Sequence, residues 1–293
     1  MPIRLQDYNL FQRYLSINKF LNSEYNFTTL FAWKEAYKMS YALVEDCLCV
    51  NAYDKEGEYF YFPLGEKKNI ERALRVLIAY TNEKGIPFIL MSLSEKMLDY
   101  LHEFDLTKHF TMEPRPEFFD YMYRREQLTG LRGKKLEGKR NHYNYFVKNY
   151  SYEFADLTES NAGACRDKLR DIIMSRSEDP EKELSATLTA LEYRDSLNLV
   201  CKCLYADDNI AGIIMGENHH GTALIQIAKS DIVYRGASVA LFKFFLENNL
   251  TECEHVNFME DMGLPGLRKA KLSYNPDHFI EKSVLIMCND LNI

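Results

Sequence analysis

A group of charged and aromatic residues near the C-terminus could form a site for an anion. Arg268 and Lys271 are three residues apart on a predicted helix, so their side chains share one face. Glu260 and Asp261 end the preceding strand, at the carboxyl edge where binding sites commonly open. Tyr274 follows the helix and offers a hydroxyl group. Cations and carboxylates are therefore expected to converge here, in a site that could stabilise negative charge and move a proton.

The segment from Arg124 to Lys148 is a second candidate site. It carries eight lysine and arginine residues and two glutamates, a net charge of +6 in a chain whose net charge is −7. Like charges at this density repel each other unless an anion or an acidic surface neutralises them. The segment is therefore expected either to bind a polyanion or to dock on the protein's own acidic surface.

Helical spacing between residues 134 and 148 predicts a basic helix with two different faces. One face is apolar and would pack against the protein. The other face carries Lys135, Lys139 and His142. Arg140 has the bidentate geometry that suits phosphate, and Asn141 can cap or orient it. His142 is interpreted as a structural or surface residue rather than as a catalyst.

A third candidate site is the start of a predicted helix from Gly236 to Asn248. The free N–H groups and the dipole of a helix N-terminus favour a bound anion. The small residues Gly236, Ala237 and Ser238 would let a phosphate approach the backbone, and Arg235 adds a full positive charge. The alternative is a capped core helix with Arg235 in solvent.

Length and composition indicate a folded protein of two domains. The chain has 293 residues, of which 46% are apolar and 27% charged, which excludes a disordered, collagen-like or coiled-coil chain. No apolar segment approaches the roughly 18 residues that a membrane span requires, and the N-terminus lacks the apolar core of a secretory signal. We therefore expect a cytoplasmic protein, and the sequence does not specify its oligomeric state.

The cysteines favour buried thiols over a metal site. There are seven, and the pairs Cys47/Cys49 and Cys201/Cys203 each point to one face of a predicted strand. A structural zinc site needs four cysteine or histidine ligands, and no second ligand pair follows at short spacing. We expect no bound metal.

The order of predicted elements divides the chain into two α/β halves. In the first half a strand at Phe119–Tyr123 is expected to close the sheet, and in the second half a strand at Phe279–Met287 does so. A three-strand meander, a helix and a lone strand recur in both halves at an offset of about 160 residues, which is typical of a duplicated domain. The predicted domains are residues 1–130 and 131–293, the second including the basic linker helix 134–149.

Two stretches of the sequence resemble motifs of a known family. They are LTGLRGKKLEGKRNHYNYF (Leu128–Phe146) and NFMEDMGLPGLRKAKLSYNP (Asn257–Pro276). Both resemble an uncharacterised bacterial family grouped with the C-terminal catalytic domain of phosphatidylglycerol lysyltransferase. Members of this family, like the Fem aminoacyltransferases, resemble two GNAT acyltransferase domains in tandem. The resemblance implies an α/β (α+β) fold of two GNAT-like domains, each a mixed sheet flanked by helices.

The resemblance also implies an acyl or aminoacyl transferase. Its donor substrate would be aminoacyl-tRNA or acyl-CoA, held at a local basic patch, with no tightly bound cofactor and with the acceptor unassigned. The alternative is a non-catalytic tandem-GNAT module that binds a nucleotide, tRNA or a phospholipid headgroup. Because the sequence shows no membrane span, we expect either a soluble acceptor or peripheral contact of the Arg124–Lys148 segment with a membrane.

Residue roles follow from the same resemblance. Lys271 matches a lysine that lines the catalytic cleft of Fem and lysyltransferase relatives and stabilises negative charge. We therefore expect Lys271→Ala to remove function and leave the fold intact, because a surface lysine contributes only about 0.5 kcal/mol to stability. Tyr274 either donates a proton to the leaving group or packs in the core. GNAT enzymes bind donor phosphates at the helix that here begins at Gly236, although this loop has one glycine where theirs has two or more.

Overall fold

The computed structural model describes residues 1–55 and 57–287, which form two compact units. The first unit contains residues 1–119 and the described residues from 280 onward, and the second is Asp120–Phe279. Residues 288–293 of the predicted second domain lie outside the described part of the chain. The second unit begins before the predicted boundary at residue 130, and the chain returns to the first unit after Phe279.

The helices and strands before residue 120 form the first unit. In chain order they are α1 (Tyr8–Asn18), α2 (Phe27–Trp33), β1 (Ser40–Val44), β2 (Cys47–Asp54), β3 (Gly57–Tyr61), α3 (Lys67–Lys84), β4 (Phe88–Leu93), α4 (Glu95–Glu103) and β5 (Phe110–Pro114). The Asn26 side chain caps α2 by accepting a hydrogen bond from the Thr29 amide at 3.1 Å. Gly85 ends α3 with a φ of +65°, as the sequence predicts.

The rest of the chain forms the second unit and one further strand. The elements are β6 (Asp120–Arg124), α5 (Arg125–Gly130), α6 (Glu137–Asn149), β7 (Tyr152–Asp156), α7 (Glu159–Arg176), α8 (Pro180–Glu192), β8 (Val200–Ala206), β9 (Asn209–His219), β10 (Thr222–Ser230), α9 (Ala237–Asn248), β11 (His255–Asn257), α10 (Pro265–Leu272), β12 (His278–Ile280) and β13 (Ser283–Met287). The predicted basic helix corresponds to α6, preceded by a turn of 3₁₀ helix from Lys134 to Leu136. The short helix α5 was not predicted.

Each unit is built on one mixed sheet, and the two sheets repeat one arrangement. The strand order is β1-β2-β3-β4-β13-β5 in the first sheet and β12-β6-β11-β10-β9-β8-β7 in the second. In each sheet an antiparallel meander leads through a helix to a strand parallel to its last member, β3 with β4 and β10 with β11. The predicted pair of α/β units with mixed sheets flanked by helices is confirmed.

Two strands join different sheets from those the sequence predicts. The segment expected to close the first sheet becomes β6, which pairs with β11 in the second. The segment expected to close the second sheet divides into β12 and β13, and β13 pairs with β4 and β5 in the first. Both assignments of these strands were wrong, because a central strand buried on both faces carries no polarity pattern that identifies its neighbours. Four of the five residues of β6 are buried.

Strands β10 and β11 separate soon after they meet. Thr222–Leu224 of β10 pairs with His255–Asn257 of β11. Beyond this point β10 stays paired with β9 as far as Ser230. The loop 231–236 then leads into α9, whose buried residues join the core of the second unit. No helix among the described residues combines the length and the apolar character that crossing a membrane would require.

Candidate functional site

The start of α9 is in close contact with α6. Gly236 has a φ of +90°, and a β-carbon there would overlap the carbonyl oxygen of His142 and lie 3.1 Å from the β-carbon of Phe146. Both the backbone conformation and the close approach require glycine. The contact brings the exposed face of the basic helix next to the N-terminus of α9, and so unites the second and third sites that the sequence predicted separately.

Two cations and a histidine lie together at this junction. The Lys139 ammonium is 3.8 Å from the centre of the Tyr274 ring, and the Arg235 guanidinium is 4.5 Å from the centre of the Tyr145 ring. The pKa of His142 is lowered by partial burial and by the positive charges of Arg235 and Lys139, so both cations lie near its ring and favour its neutral form. We call Lys139, His142 and Arg235 the basic cluster.

The basic cluster has no carboxylate partner within residues 1–55 and 57–287. None of its members forms an ion pair with those residues. Partial burial lowers the pKa of Lys139 to about 8, and no neighbouring carboxylate opposes this effect. Positive charge held near a helix N-terminus without a counter-ion is suited to binding an anion.

Tyr274 completes the junction. Its side chain is buried, with 4% exposed, and its hydroxyl makes no well-formed hydrogen bond with the described residues. Burial raises the pKa of Tyr274, and the nearby Ser238 hydroxyl partly offsets this effect. A buried hydroxyl without a partner loses the hydrogen bonds it would make in water. Tyr274 is therefore a neutral hydroxyl group that lies beside the exposed Ser238.

Asp261, Arg268 and Tyr121 form a separate cluster. The fully buried Asp261 carboxylate accepts hydrogen bonds from the Tyr121 hydroxyl at 2.5 Å, the Gly263 amide at 2.8 Å and the Arg268 guanidinium at 2.8 and 3.0 Å. Burial raises the pKa of Asp261, but these hydrogen bonds outweigh burial, so the pKa lies below its usual range. Burial and the hydrogen bond to Asp261 raise the pKa of Tyr121 to about 12.

Lys271 holds the backbone that follows β11. Its ammonium donates to the carbonyl oxygens of Phe258 at 2.7 Å and Met259 at 3.2 Å, and also to the carbonyl oxygen of Glu260. The Lys271 carbonyl in turn accepts from the Tyr123 hydroxyl at 2.8 Å. Backbone carbonyls therefore surround the charge of Lys271. Glu260 contributes its carbonyl oxygen to this arrangement.

The residues that the sequence placed in one C-terminal site lie in two separate groups in the structure. Arg268 and Asp261 pair as expected, and Lys271 lies next to them, with its ammonium 5.6 Å from the Tyr121 ring centre. Tyr274 instead contacts the basic cluster. The rings of Tyr123 and Phe258 lie 6.3 and 5.9 Å from its own ring.

The other predicted anion-binding residues take different positions. The Arg140 guanidinium donates to the carbonyls of Leu131 at 2.7 Å and Gly133 at 3.3 Å, and so holds the loop before α6. Lys135 and Asn141 are exposed, whereas Ala237 is buried in the core. Their predicted roles in binding remain predictions.

Two residues of these clusters escaped the sequence analysis. Tyr145 lies one helical turn beyond His142 on the same face of α6, so helical spacing could have identified it. Tyr121 could not have been found this way, because its partner Asp261 is distant in sequence and β6 was assigned to the other sheet.

Comparison with known proteins gives a family and a fold. The model of the family described as "Phosphatidylglycerol lysyltransferase, C-terminal" matches residues 16–286. A conserved protein of unknown function from Bacteroides thetaiotaomicron is 26% identical, with a TM-score of 0.91 over 98% of this chain and 99% of that one. The C-terminal domain of a putative lysylphosphatidylglycerol synthetase from Agrobacterium fabrum is 12% identical and has the same fold, with a TM-score of 0.65 over 94% of this chain and 91% of that one.

A sequence relative covers less of the chain. An uncharacterized protein of Mycoplasmoides gallisepticum is 28% identical over 183 residues, which is 58% of this chain. The match spans 56% of that protein's length.

Proposed function

The chain belongs to the phosphatidylglycerol lysyltransferase C-terminal family, and we propose from this membership that it transfers an aminoacyl group from aminoacyl-tRNA to an acceptor nucleophile. The proposed donor site is the junction of α6 and α9. The acceptor supplies a hydroxyl or an amine, the two nucleophiles that an activated aminoacyl ester acylates.

The observation that carries this proposal is the unpaired basic cluster beside an unbonded buried hydroxyl. The charges of Lys139 and Arg235 both act on His142, and none of these three residues has a carboxylate partner among the described residues. At the same place Tyr274 is buried, and its hydroxyl makes no well-formed hydrogen bond with any described residue. An anionic ligand that also accepts a hydrogen bond relieves both costs at once.

The 3′ end of a tRNA has the chemistry that this junction suits. Its phosphates match the cations and the N-terminus of α9. The exposed part of the Tyr145 ring, 37% of that side chain, offers a surface on which a terminal base can stack. Acyl-CoA also carries an adenosine and phosphates, so the donor has to be identified by experiment.

The proposed reaction is an ordinary acyl transfer. The acceptor nucleophile attacks the carbonyl carbon of the aminoacyl ester, a new ester or amide bond forms, and the bond to the ribose oxygen breaks. Tyr274 remains protonated at neutral pH and donates a proton to the departing ribose oxygen. Lys139, whose pKa of about 8 allows it to exchange protons near neutrality, gives a proton to the Tyr274 phenolate and then takes up the proton that the acceptor releases.

The cluster around Asp261 has a positioning role in this proposal. Arg268 and Tyr121 fix the Asp261 carboxylate, and Lys271 fixes the carbonyls just before it. These contacts set the path of the chain between β11 and α10. The position of Tyr274, which follows α10, depends on that path.

Binding of a stable donor analogue tests the proposal. The probe is a short RNA with the single-stranded 3′ sequence of tRNA and an amide-linked 3′ amino acid, and CoA is titrated in parallel. We expect Lys139→Met and Arg235→Gln each to weaken RNA binding at least about tenfold, which is the loss of one charge-assisted hydrogen bond. The matched control is Lys269→Met, which removes an exposed lysine of α10 and should leave affinity unchanged.

Two results would contradict the proposal. Binding of CoA without binding of the RNA would reject the aminoacyl-tRNA donor and retain the site. If neither ligand binds, or if Lys139→Met and Arg235→Gln bind the RNA as tightly as the unchanged protein, the donor site is not at this junction.

A further inference from the structure

The loop between β10 and α9 exposes two adjacent aliphatic side chains. Ile232 is 76% exposed and Val233 is 73% exposed, the highest values among the large apolar residues of the described chain. Single exposed apolar residues are common, but two consecutive ones at a loop tip form a surface that is costly to keep in water. Neither residue has a role in the proposed reaction.

The loop is held in a defined shape. The Asp231 carboxylate accepts a hydrogen bond from the Val233 amide at 3.0 Å and pairs with Lys168 on α7. The Asp231 amide donates to the Ala211 carbonyl at 2.9 Å on β9. These contacts of Asp231 fix the base of the loop, so Ile232 and Val233 at its tip are held in exposed positions.

Tyrosines surround the base of this loop. The Tyr234 ring lies 5.4 Å from the ring of Tyr150, which is 6.3 Å from the ring of Tyr145. The Tyr150 hydroxyl accepts a hydrogen bond from the Arg235 amide at 3.3 Å. Tyrosine is enriched at the boundary between the apolar and polar parts of a bilayer, because its ring is apolar and its hydroxyl is polar.

The charges beside the tip favour an anionic surface. Lys168 neutralises Asp231, the one carboxylate of the loop itself. Arg235 follows the tip, and Arg176 reaches the base of the loop by donating to the Ser230 carbonyl at 3.2 Å. Neither arginine forms an ion pair with the described residues. Cations close to a membrane are attracted to anionic lipid headgroups.

We propose that Ile232 and Val233 insert into the surface of a bilayer that contains anionic phospholipid. The tip supplies the apolar contact, Tyr150 and Tyr234 lie at the headgroup level, and Arg176 faces the lipid phosphates. This inference goes beyond the proposed transfer reaction and does not require it.

Flotation with vesicles tests the inference on the full chain. Vesicles of phosphatidylcholine with phosphatidylglycerol are compared with vesicles of phosphatidylcholine alone. We expect binding to the anionic vesicles, and a loss of at least about tenfold in the double variant Ile232→Asn/Val233→Asn, because two aliphatic side chains no longer enter the bilayer. The matched control is Ile17→Asn/Val76→Asn, which changes two exposed aliphatic residues of the first unit and should bind as the unchanged protein does.

A second measurement separates this inference from the proposed function. The Ile232→Asn/Val233→Asn protein should bind the aminoacylated RNA probe with unchanged affinity. Absence of binding to anionic vesicles, or equal binding by this variant and the unchanged protein, would overturn the inference. Loss of RNA binding in this variant with no vesicle binding by the unchanged protein would also overturn it, since the tip would then contact RNA.

Discussion

The α-carbon of Gly236 lies directly against the backbone carbonyl of His142. A β-carbon at residue 236 would overlap that oxygen, and the φ of +90° is itself unfavourable for any other residue. The sequence suggested that this glycine lets a phosphate approach the helix. The structure shows that it lets α6 approach the start of α9.

We therefore expect Gly236→Ala to destabilise the fold by about 2 kcal/mol or more, through backbone strain and overlap. Urea unfolding of the purified variant measures this loss. Gly163→Ala is the matched control, because Gly163 is inside α7 with open space around its α-carbon, and this change should stabilise by about 0.5–1 kcal/mol. Equal stability of the two variants would mean that α6 and α9 are not in this contact.

Lys139 should make anion binding depend on pH near 8. Its ammonium loses its charge as the pH rises through about 8, so affinity for the RNA probe should fall over that range. Isothermal titration calorimetry between about pH 6.5 and pH 9.5 measures the affinity for the RNA probe, a range of about 1.5 pH units on either side of the pKa. Lys139→Met should bind weakly at every pH and show no such fall. A fall that persists in Lys139→Met would assign the titration to another group.

The same lysine should have the opposite effect on stability. The pKa of Lys139 is about 8 in the folded state and 10.5 in its ordinary environment, so the folded state disfavours the charged form. The penalty is complete below pH 8 and is relieved as the pH rises from 8 towards 10.5. Without ligand, the stability of the unchanged protein relative to Lys139→Met should therefore rise across this range. Thermal unfolding at several pH values checks the sign.

Lys271 is now expected to affect stability as well as function. Lys271→Met keeps the length of the side chain but removes the donor that the carbonyls of Phe258, Met259 and Glu260 share. The expected cost is about 1–3 kcal/mol, the usual penalty for leaving partly buried acceptors unpaired. Lys269→Met on the exposed side of α10 is the control. An unchanged melting temperature for Lys271→Met would show that Lys271 does not contribute to stability.

The strand β13 should be essential to the first unit although it is last in the chain. Removal of all residues after Phe279 deletes the strand between β4 and β5, and with it the buried side chains of Val284, Leu285 and Met287. We expect limited proteolysis of this truncated chain to cleave between residues 1 and 119 far faster than in the full chain, since an open sheet exposes backbone and apolar surface. Equal cleavage rates would show that β13 contributes little to this sheet.

Local pattern was sufficient for most elements and for the repeated arrangement. Apolar spacing with Gly85 at its end predicted α3, and the small residues after Arg235 marked the start of α9. The meander, helix and strand recur at the predicted offset because hydrophobic periodicity and turn residues are local properties of the sequence. The charge excess between Arg124 and Lys148 marked the segment that contains Lys139 and His142, although Arg124 in the same segment pairs with Asp277.

Tertiary structure alone decided which strands became neighbours and which side chains met. Strands β6 and β13 are buried on both faces, so no alternation of polarity tells which sheet receives them. Lys271 and Tyr274 are close in sequence, yet Lys271 binds backbone carbonyls, whereas Tyr274 contacts Lys139 and packs against the rings of Tyr123 and Phe258. The partners of a charge are set by long-range packing, and no spacing along the chain encodes them.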